Sequence, residues 1–385
     1  MLEEKKITRI AVLTQAVVCG ILFCAFSFTY LYVFERDVIE ALHYSLAHGL
    51  THYAPLPSAL VITFVLLVLR WVTGLLLGLK GKIRALCYFP SFLVLAALTD
   101  VGRGIYMEAY HTNWLWLLPL LLALYVLAAL ALKKLLRVFQ MEESSPFALM
   151  NSNIIIMFFL SLMTVFIGNH DAMFHYEVDA EHNILAGQYD KALEVGKKSQ
   201  YASRTLTALR AYAMSRTGSM GELLFEYPQP YGSEGLFFVE DSLLTFRYTN
   251  DSIFSFLGTT PANGRLTPDF LRRVCYDGSA KYTALDYYLS SLLLEKETDK
   301  FVKAVDDLIL YPDSLPRHYR EALAMYQVTH PESAPIMTDS LMIARYISYR
   351  HDADSVSVHP EQMRTFRREY SGTWWWYHDF SVSSR

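Results

Sequence analysis

Residues 58–79 read SALVITFVLLVLRWVTGLLLGL, a run whose single charge is Arg70. As a helix rising about 1.5 Å per residue, some 20 mostly apolar residues cross the roughly 30 Å hydrocarbon core of a bilayer. This stretch decides the fold class, because four more segments meet the same test: 10–34, 85–101, 113–132 and 152–168. The third is closed by Asp100, and the fifth is at the short end of the permitted range.

The chain has 385 residues, 53% of them hydrophobic and 19% charged, with a mean hydropathy of +0.20. That charge content is below the roughly 25% of soluble domains, and the average hides a split. Long apolar runs dominate up to residue 168, and an ordinary polar composition follows. The expectation is an all-α protein: a transmembrane domain of about five helices over 1–168, then a second domain over 169–385.

Short loops on the cytoplasmic side of a membrane carry the excess of Lys and Arg. Lys5, Lys6 and Arg9 precede the first span, Lys80, Lys82 and Arg84 join the second and third, and Lys133, Lys134 and Arg137 follow the fourth. The remaining loops hold one arginine each, Arg36 and Arg103. This alternation predicts a cytoplasmic N-terminus and an extracytoplasmic 169–385, which in a Gram-negative cell means an inner-membrane protein with a periplasmic domain. The first span is longer than the core of a signal peptide and has no A-x-A-like site after it. Cys19 and Cys24 follow Val18 and Phe23, not the small residue of a lipoprotein site, so this span reads as an uncleaved anchor. Cys275 is the one cysteine of 169–385, which leaves that domain to be held by its core.

In that domain, NHDAMFHYEVDAEHN (169–183) reads as a helix running on from the last span. LAGQYDKALEVGKK (185–198) then places Gly187 at a tight turn, Tyr189 as a gap-filling aromatic and Ala192 where two helices approach. That is the pattern of a tetratricopeptide (TPR) hairpin. LTALRAYAMSRTGSMGELLF (206–225) repeats the theme, with its turn at Gly218, 31 positions after Gly187 against a 34-residue repeat. Residues 282–311 split into two helices around Glu297–Asp299, 316–330 open on Pro316, and 336–350 add another helix. The whole reads as an α-solenoid-like, TPR-like fold interrupted over 227–265, with an irregular helical domain as the alternative.

This domain holds 22 Lys/Arg against 29 Asp/Glu, a net of −7. It has no basic run of the kind nucleic acids require, and Arg364, Arg367 and Arg368 read as a solvated helix face. GLLLGLKG (74–81) lacks the order of a phosphate-binding loop, no serine nucleophile elbow appears, and no cofactor is implied.

The candidate site residues are few. Arg70 stands about 18 Å in from Ser58, where a charge needs a partner, and Gln15 and Thr14 on the first span are the candidates. Its roles would be to bind a lipid phosphate, to glue helices together or to snorkel. His48 and His52 in HYSLAHGLTHY (43–53) have the i, i+4 spacing of zinc ligands on a helix. They lack the HExxH glutamate, and Gly49 disfavours a helix there, so membrane-interface side chains are the plainer reading. Glu35 and Asp37, in the first outer loop, are where membrane glycosyltransferases acting on lipid-linked sugars carry an acid. GTWWWYHDF (372–380) reads as a buried C-terminal cap.

SRTGSMGELLFEYPQPYGSEGLF (215–237), LPRHYREALAMY (315–326) and GTWWWYHDF resemble segments of an uncharacterised Bacteroidetes family of multi-pass membrane proteins with a C-terminal TPR-like region. The resemblance implies architecture and a Gram-negative envelope and transfers no functional residue. Together these readings predict a protein of membrane lipid and an envelope protein partner, with the helical domain as a binding or scaffolding surface. The alternative is a membrane enzyme acting on a lipid-linked substrate.

Overall fold

A computed structural model of the chain describes residues 2–47, 50–106, 112–138, 145–238, 248–261, 267–309, 314–332, 339–358 and 360–381. Among them every regular element is helical. The chain divides into two compact units, Met1–His175 and Tyr176–Arg385.

The first unit contains α1 (Leu2–Thr29), which runs into a π-helical turn at Tyr30–Phe34, then α2 (Arg36–Ala47) and α3 (Pro55–Leu77). A 3-10 stretch (Gly81–Tyr88) leads into α4 (Phe89–Thr99), and α5 (Trp114–Val138) and α6 (Pro146–Ile167) follow. Among the described residues, five segments are long and apolar enough to cross a membrane: Val12–Phe34, Pro55–Leu77, Gly81–Thr99, Trp114–Leu135 and Pro146–Ile167. Their outward faces carry exposed Leu13, Phe64, Leu75, Leu127 and Phe158, as a lipid-facing surface does. Inside, Phe23 meets Tyr88 and Phe92 at 5.1 Å each.

The third span differs from the run read at 85–101. It begins at Gly81, and its first eight residues are 3-10 helix, a form seldom longer than three or four residues because its hydrogen bonds are poorer. Asn153 of α6 sustains it. The Ala85 N–H donates to Asn153 Oδ1 at 2.7 Å, and Nδ2 donates to Gly81 O at 3.1 Å and Leu149 O at 2.7 Å. Ser91 and Thr164 donate to the carbonyls of Leu66 and Phe92 across helix pairs, the polar glue of helices in lipid.

The expected helix running on from the last span is broken. α6 stops at Ile167, because Gly168 turns to ψ 172° and Asn169 N–H donates to Thr99 O at 3.1 Å. Asp171 then caps a new helix, its Oδ1 accepting from Met173 and Phe174 N–H at 3.0 and 3.2 Å. A Cβ on Gly168 would collide with Tyr30 Oη and lie 3.0 Å from Thr99 Oγ1.

That new helix is α7 (Ala172–Leu185), which belongs to the second unit from Tyr176 onward. It is followed by α8 (Tyr189–Glu194), α9 (Arg204–Thr217), α10 (Met220–Leu223), α11 (Asn250–Leu257), α12 (Pro268–Tyr276) and α13 (Thr283–Leu294). Then come α14 (Thr298–Leu308), α15 (Arg317–Thr329), α16 (Ser340–Val358), α17 (Met363–Tyr370) and α18 (Trp374–Phe380). α9 and α13 are buried on nearly every side, so they form the centre of one core around which the amphipathic helices pack. The two-helix reading of 282–311 corresponds to α13 and α14. They are joined through Lys296 at φ 60°, the one positive-φ residue other than glycine among the described residues. Arg364, Arg367 and Arg368 of α17 are exposed.

α18 locks the core. Trp374 and Trp375 are fully buried, while Trp376 is half-buried and stacks on Phe380 at 4.6 Å. Trp374 Nε1 donates to Leu293 O at 3.1 Å, Tyr377 Oη to Leu294 O at 2.8 Å, and Trp375 Nε1 to Glu321 O at 2.7 Å. The fully buried Glu321 carboxylate accepts from Trp374 N–H at 2.8 Å, His318 Nδ1 at 2.9 Å and Arg317 Nε at 2.8 Å. Burial alone would raise its pKa, but His318 and Arg317 together hold it below the usual carboxylate value.

Removing one member of a buried charged network leaves the others uncompensated, at a cost of about 3–5 kcal/mol. Glu321→Ala is expected to lower the stability of the purified full-length protein by that order, read from the denaturant midpoint of its tryptophan emission. Because the folded-state pKa is depressed, this contribution is complete above the unfolded value near 4.5 and is lost on acidification below it. Glu321→Gln should flatten that acid limb, and a Glu321→Ala midpoint equal to wild type would refute the assignment.

Candidate ligand groove and the polar sites of the membrane unit

Among the described residues of the second unit, a groove of about 990 Å³ lies between the start of α9, the 3-10 turn Gly232–Leu236, and α12, α13 and α14. Its floor is apolar and aromatic: Phe237, Phe238, Tyr288 and Leu292, all buried in the core. Phe237 stacks on Tyr287 at 5.6 Å, and Asn250 holds Phe238 through paired 2.9 Å hydrogen bonds to its N–H and C=O. Glu295 pins the turn, accepting from Ser233 N–H at 3.1 Å and Ser233 Oγ at 2.6 Å.

The walls are charged, and their acids are mostly engaged within the protein. Arg204 pairs with Glu234 at 3.3 Å, Lys300 pairs with Glu297, and Tyr276 Oη donates to Asp307 at 2.8 Å. Burial and this bond to Asp307 push the Tyr276 hydroxyl up to about 12. Arg272 and Lys303 line the groove without an ion-pair partner among the described residues, facing Asp269 as the remaining acid. An apolar floor with a few directed polar groups is the usual build of a ligand site.

Gly187 (φ 70°) turns the chain from α7 to α8, and Gly218 (φ 68°) caps α9, both in the left-handed region that favours glycine. Tyr189 opens α8 and packs on the core with the Arg216 guanidinium 5.1 Å from its ring, and Ala192 is buried. α8 itself is six residues long. Sequence reasoning missed Arg210 of α9, which is 2% exposed. It donates to Val195 O at 2.7 Å and lies 4.8 Å from the Tyr227 ring centroid, and burial pulls it down to about 10. The signal was its place among Leu206, Leu209, Ala213 and Met214 in helical register.

In the membrane unit, the Arg70 guanidinium lies over the Tyr88 ring at 4.8 Å, and its Nε is buried with no hydrogen-bond partner. Gln15 is also buried, with an unpartnered Oε1, and no bond joins the two. His52 is exposed in the segment before α3, beyond the end of α2, and His48 lies outside the described residues. His43 Nε2 is 3.1 Å from Thr51 Oγ1.

Glu35 and Asp37 part ways. Asp37 sits half-buried in the first turn of α2, whereas Glu35 ends the π-helical turn, is 5% exposed and leaves Oε2 without a hydrogen-bond partner. π-turns inside helices are frequent at functional sites. Burial pushes the Glu35 carboxyl up to about 7, the Tyr30 hydroxyl working against it and the Asp37 charge adding to it.

Among the described residues, five apolar spans in one unit and a helical second unit with a charged groove define a membrane protein with a large non-spanning part. The chain belongs to a family of unknown function, DUF6057, whose model matches residues 14–256 and 267–381 and so runs through both units. No curated protein and no solved structure matches it.

A carboxyl whose folded-state pKa is raised destabilises the fold as it ionises. For Glu35 the loss begins near pH 4.5 and is complete above about 7. Glu35→Gln should therefore gain thermal stability over wild type as pH rises from 5 to 8 in detergent. Parallel wild-type and variant melting curves across that range would contradict it.

Proposed function

We propose that this is a membrane-anchored binding protein whose helical unit, over 169–385, faces the periplasm of a Gram-negative cell and takes an extended segment of an envelope protein in the groove. The observation that carries the reading is the groove itself, with a floor of Phe237, Phe238, Tyr288 and Leu292 and wall acids that, Asp269 apart, are engaged within the protein. The lining carries five carboxylates against four cations, but Arg272 and Lys303 have no ion-pair partner among the described residues, so the fitting ligand has an apolar anchor and an acidic group placed at those two side chains. The TPR-like reading of the helices supports a scaffolding role, since stacked helical hairpins present grooves of this kind. The Lys and Arg bias of the short loops supports the orientation, with the inner membrane as the location.

A second reading has one observation in its favour. Glu35, buried beside the membrane boundary with a raised pKa and an unbonded oxygen, has the properties of a general acid. This suits an enzyme working on a lipid-linked substrate.

The full-length protein in nanodiscs, panned against a random-peptide library, should enrich peptides that pair an aromatic or leucine with Asp or Glu. Arg272→Glu with Lys303→Glu should weaken those peptides by about tenfold or more, since a lost charge-assisted contact is worth ~1.4 kcal/mol or above. No enrichment, or peptides indifferent to the double variant, would sink the groove reading.

A further inference from the structure

The described residues of the five spans contain two arginines and no Asp or Glu. Arg70 lies seven residues before the end of α3, about 10 Å from the Lys80–Lys82 end of the bundle at 1.5 Å per residue. Arg84, read from the sequence as a loop charge, lies inside the 3-10 stretch of the third span. The two cations stand on elements packed against each other, Arg70 on α3 beside the Tyr88 ring and Arg84 four residues before Tyr88 in the 3-10 stretch. Arg70 leans on the Tyr88 ring and keeps a buried, unbonded Nε. Arg84 Nη1 donates to Val12 O at 3.1 Å. Gln15, with its buried unpartnered Oε1, lies on the α1 face that also carries Val12 and Cys19.

Charges in hydrocarbon are costly without a counter-charge, and here the protein supplies only a carbonyl and an aromatic face. Both arginines are half-buried, so each keeps exposed surface. At this depth a guanidinium extends towards the phosphate layer, and its planar fork matches phosphate oxygens two at a time. Lys80 and Lys82 at the same end draw anionic headgroups towards it. Lys133 is already committed, donating to Leu77 O at 2.7 Å.

We propose that Arg70 and Arg84 together form a binding site for the phosphate of an anionic phospholipid in the leaflet at the Lys80–Lys82 end. The lipid supplies the counter-charge that the spans lack and ties α3 to the 3-10 stretch. This site is independent of the groove.

The test uses the full-length protein and phosphatidylglycerol. Native mass spectrometry after extraction from phosphatidylcholine–phosphatidylglycerol nanodiscs should show retained phosphatidylglycerol on the wild type. Arg70→Gln and Arg84→Gln should each reduce retention about tenfold, the effect of losing one charge-assisted contact, and Arg70→Lys should reduce it less. Lys80→Gln with Lys82→Gln, which removes only the attraction at the surface, should lower retention less than either arginine variant. Equal retention by wild type and the arginine variants overturns the proposal, as does displacement of the lipid by millimolar inorganic phosphate, which would assign the site to free phosphate. Should the arginine variants fail to fold, the wild type alone decides. Its melting temperature must rise with phosphatidylglycerol over phosphatidylcholine, and an unchanged value overturns the site.

Discussion

A peptide group in hydrocarbon that lacks a hydrogen bond costs several kcal/mol, and the membrane unit is organised around that constraint. Four spans meet it mainly with α-helix. The third cannot do so alone, because Gly81–Tyr88 winds as 3-10 helix. Asn153, a polar residue in the middle of an apolar helix, accepts from Ala85 and donates to Gly81 and Leu149. The same constraint explains why Gly168 ends α6: Asn169 there turns to the carbonyl of Thr99, and a side chain at 168 would strike Tyr30.

The second unit solves a different problem, that of burying charge in a core with no disulfide. Glu321 is fully enclosed, yet every partner it has is a donor: a histidine, an arginine and the N–H of Trp374. This network joins α15 to α18, while the Trp374 and Tyr377 side chains reach the last carbonyls of α13. The C-terminal tryptophans are therefore structural ties, and their hydrogen-bonding ends matter as much as their apolar area. Arg210 is the counterpart that lacks an acid, held by one carbonyl and the face of Tyr227.

Much of the membrane unit was legible because composition over twenty residues is a strong signal. Arg70 and Glu35 stood out because each breaks an apolar pattern or borders one. Their surroundings did not show. Tyr88 is eighteen positions from Arg70 on another element, and Arg84 looked like a loop charge because the Gly81–Tyr88 stretch has no clear helical period. Asn153 carries no local signal of its bonds to Gly81 and Ala85, some seventy positions earlier. The groove was illegible for the same reason: its residues come from the start of α9, a turn at 232–238, and α12 to α14, and no local pattern links them.

What the sequence by itself determined is the helical class, the five apolar spans, the split in polarity and most helix positions, including the break between α13 and α14. These follow from periodicity, run length and turn chemistry, which act over a few neighbouring residues. Only the tertiary structure decided that the chain leaves helix at Gly168, that Trp374 and Trp375 close a core around Glu321, that Glu35 is buried while Asp37 is not, and that Arg70 lies over Tyr88 while Arg84 bonds to the first span. Each of these depends on atoms brought together from distant parts of the chain, where hydrogen bonding and desolvation are settled by packing.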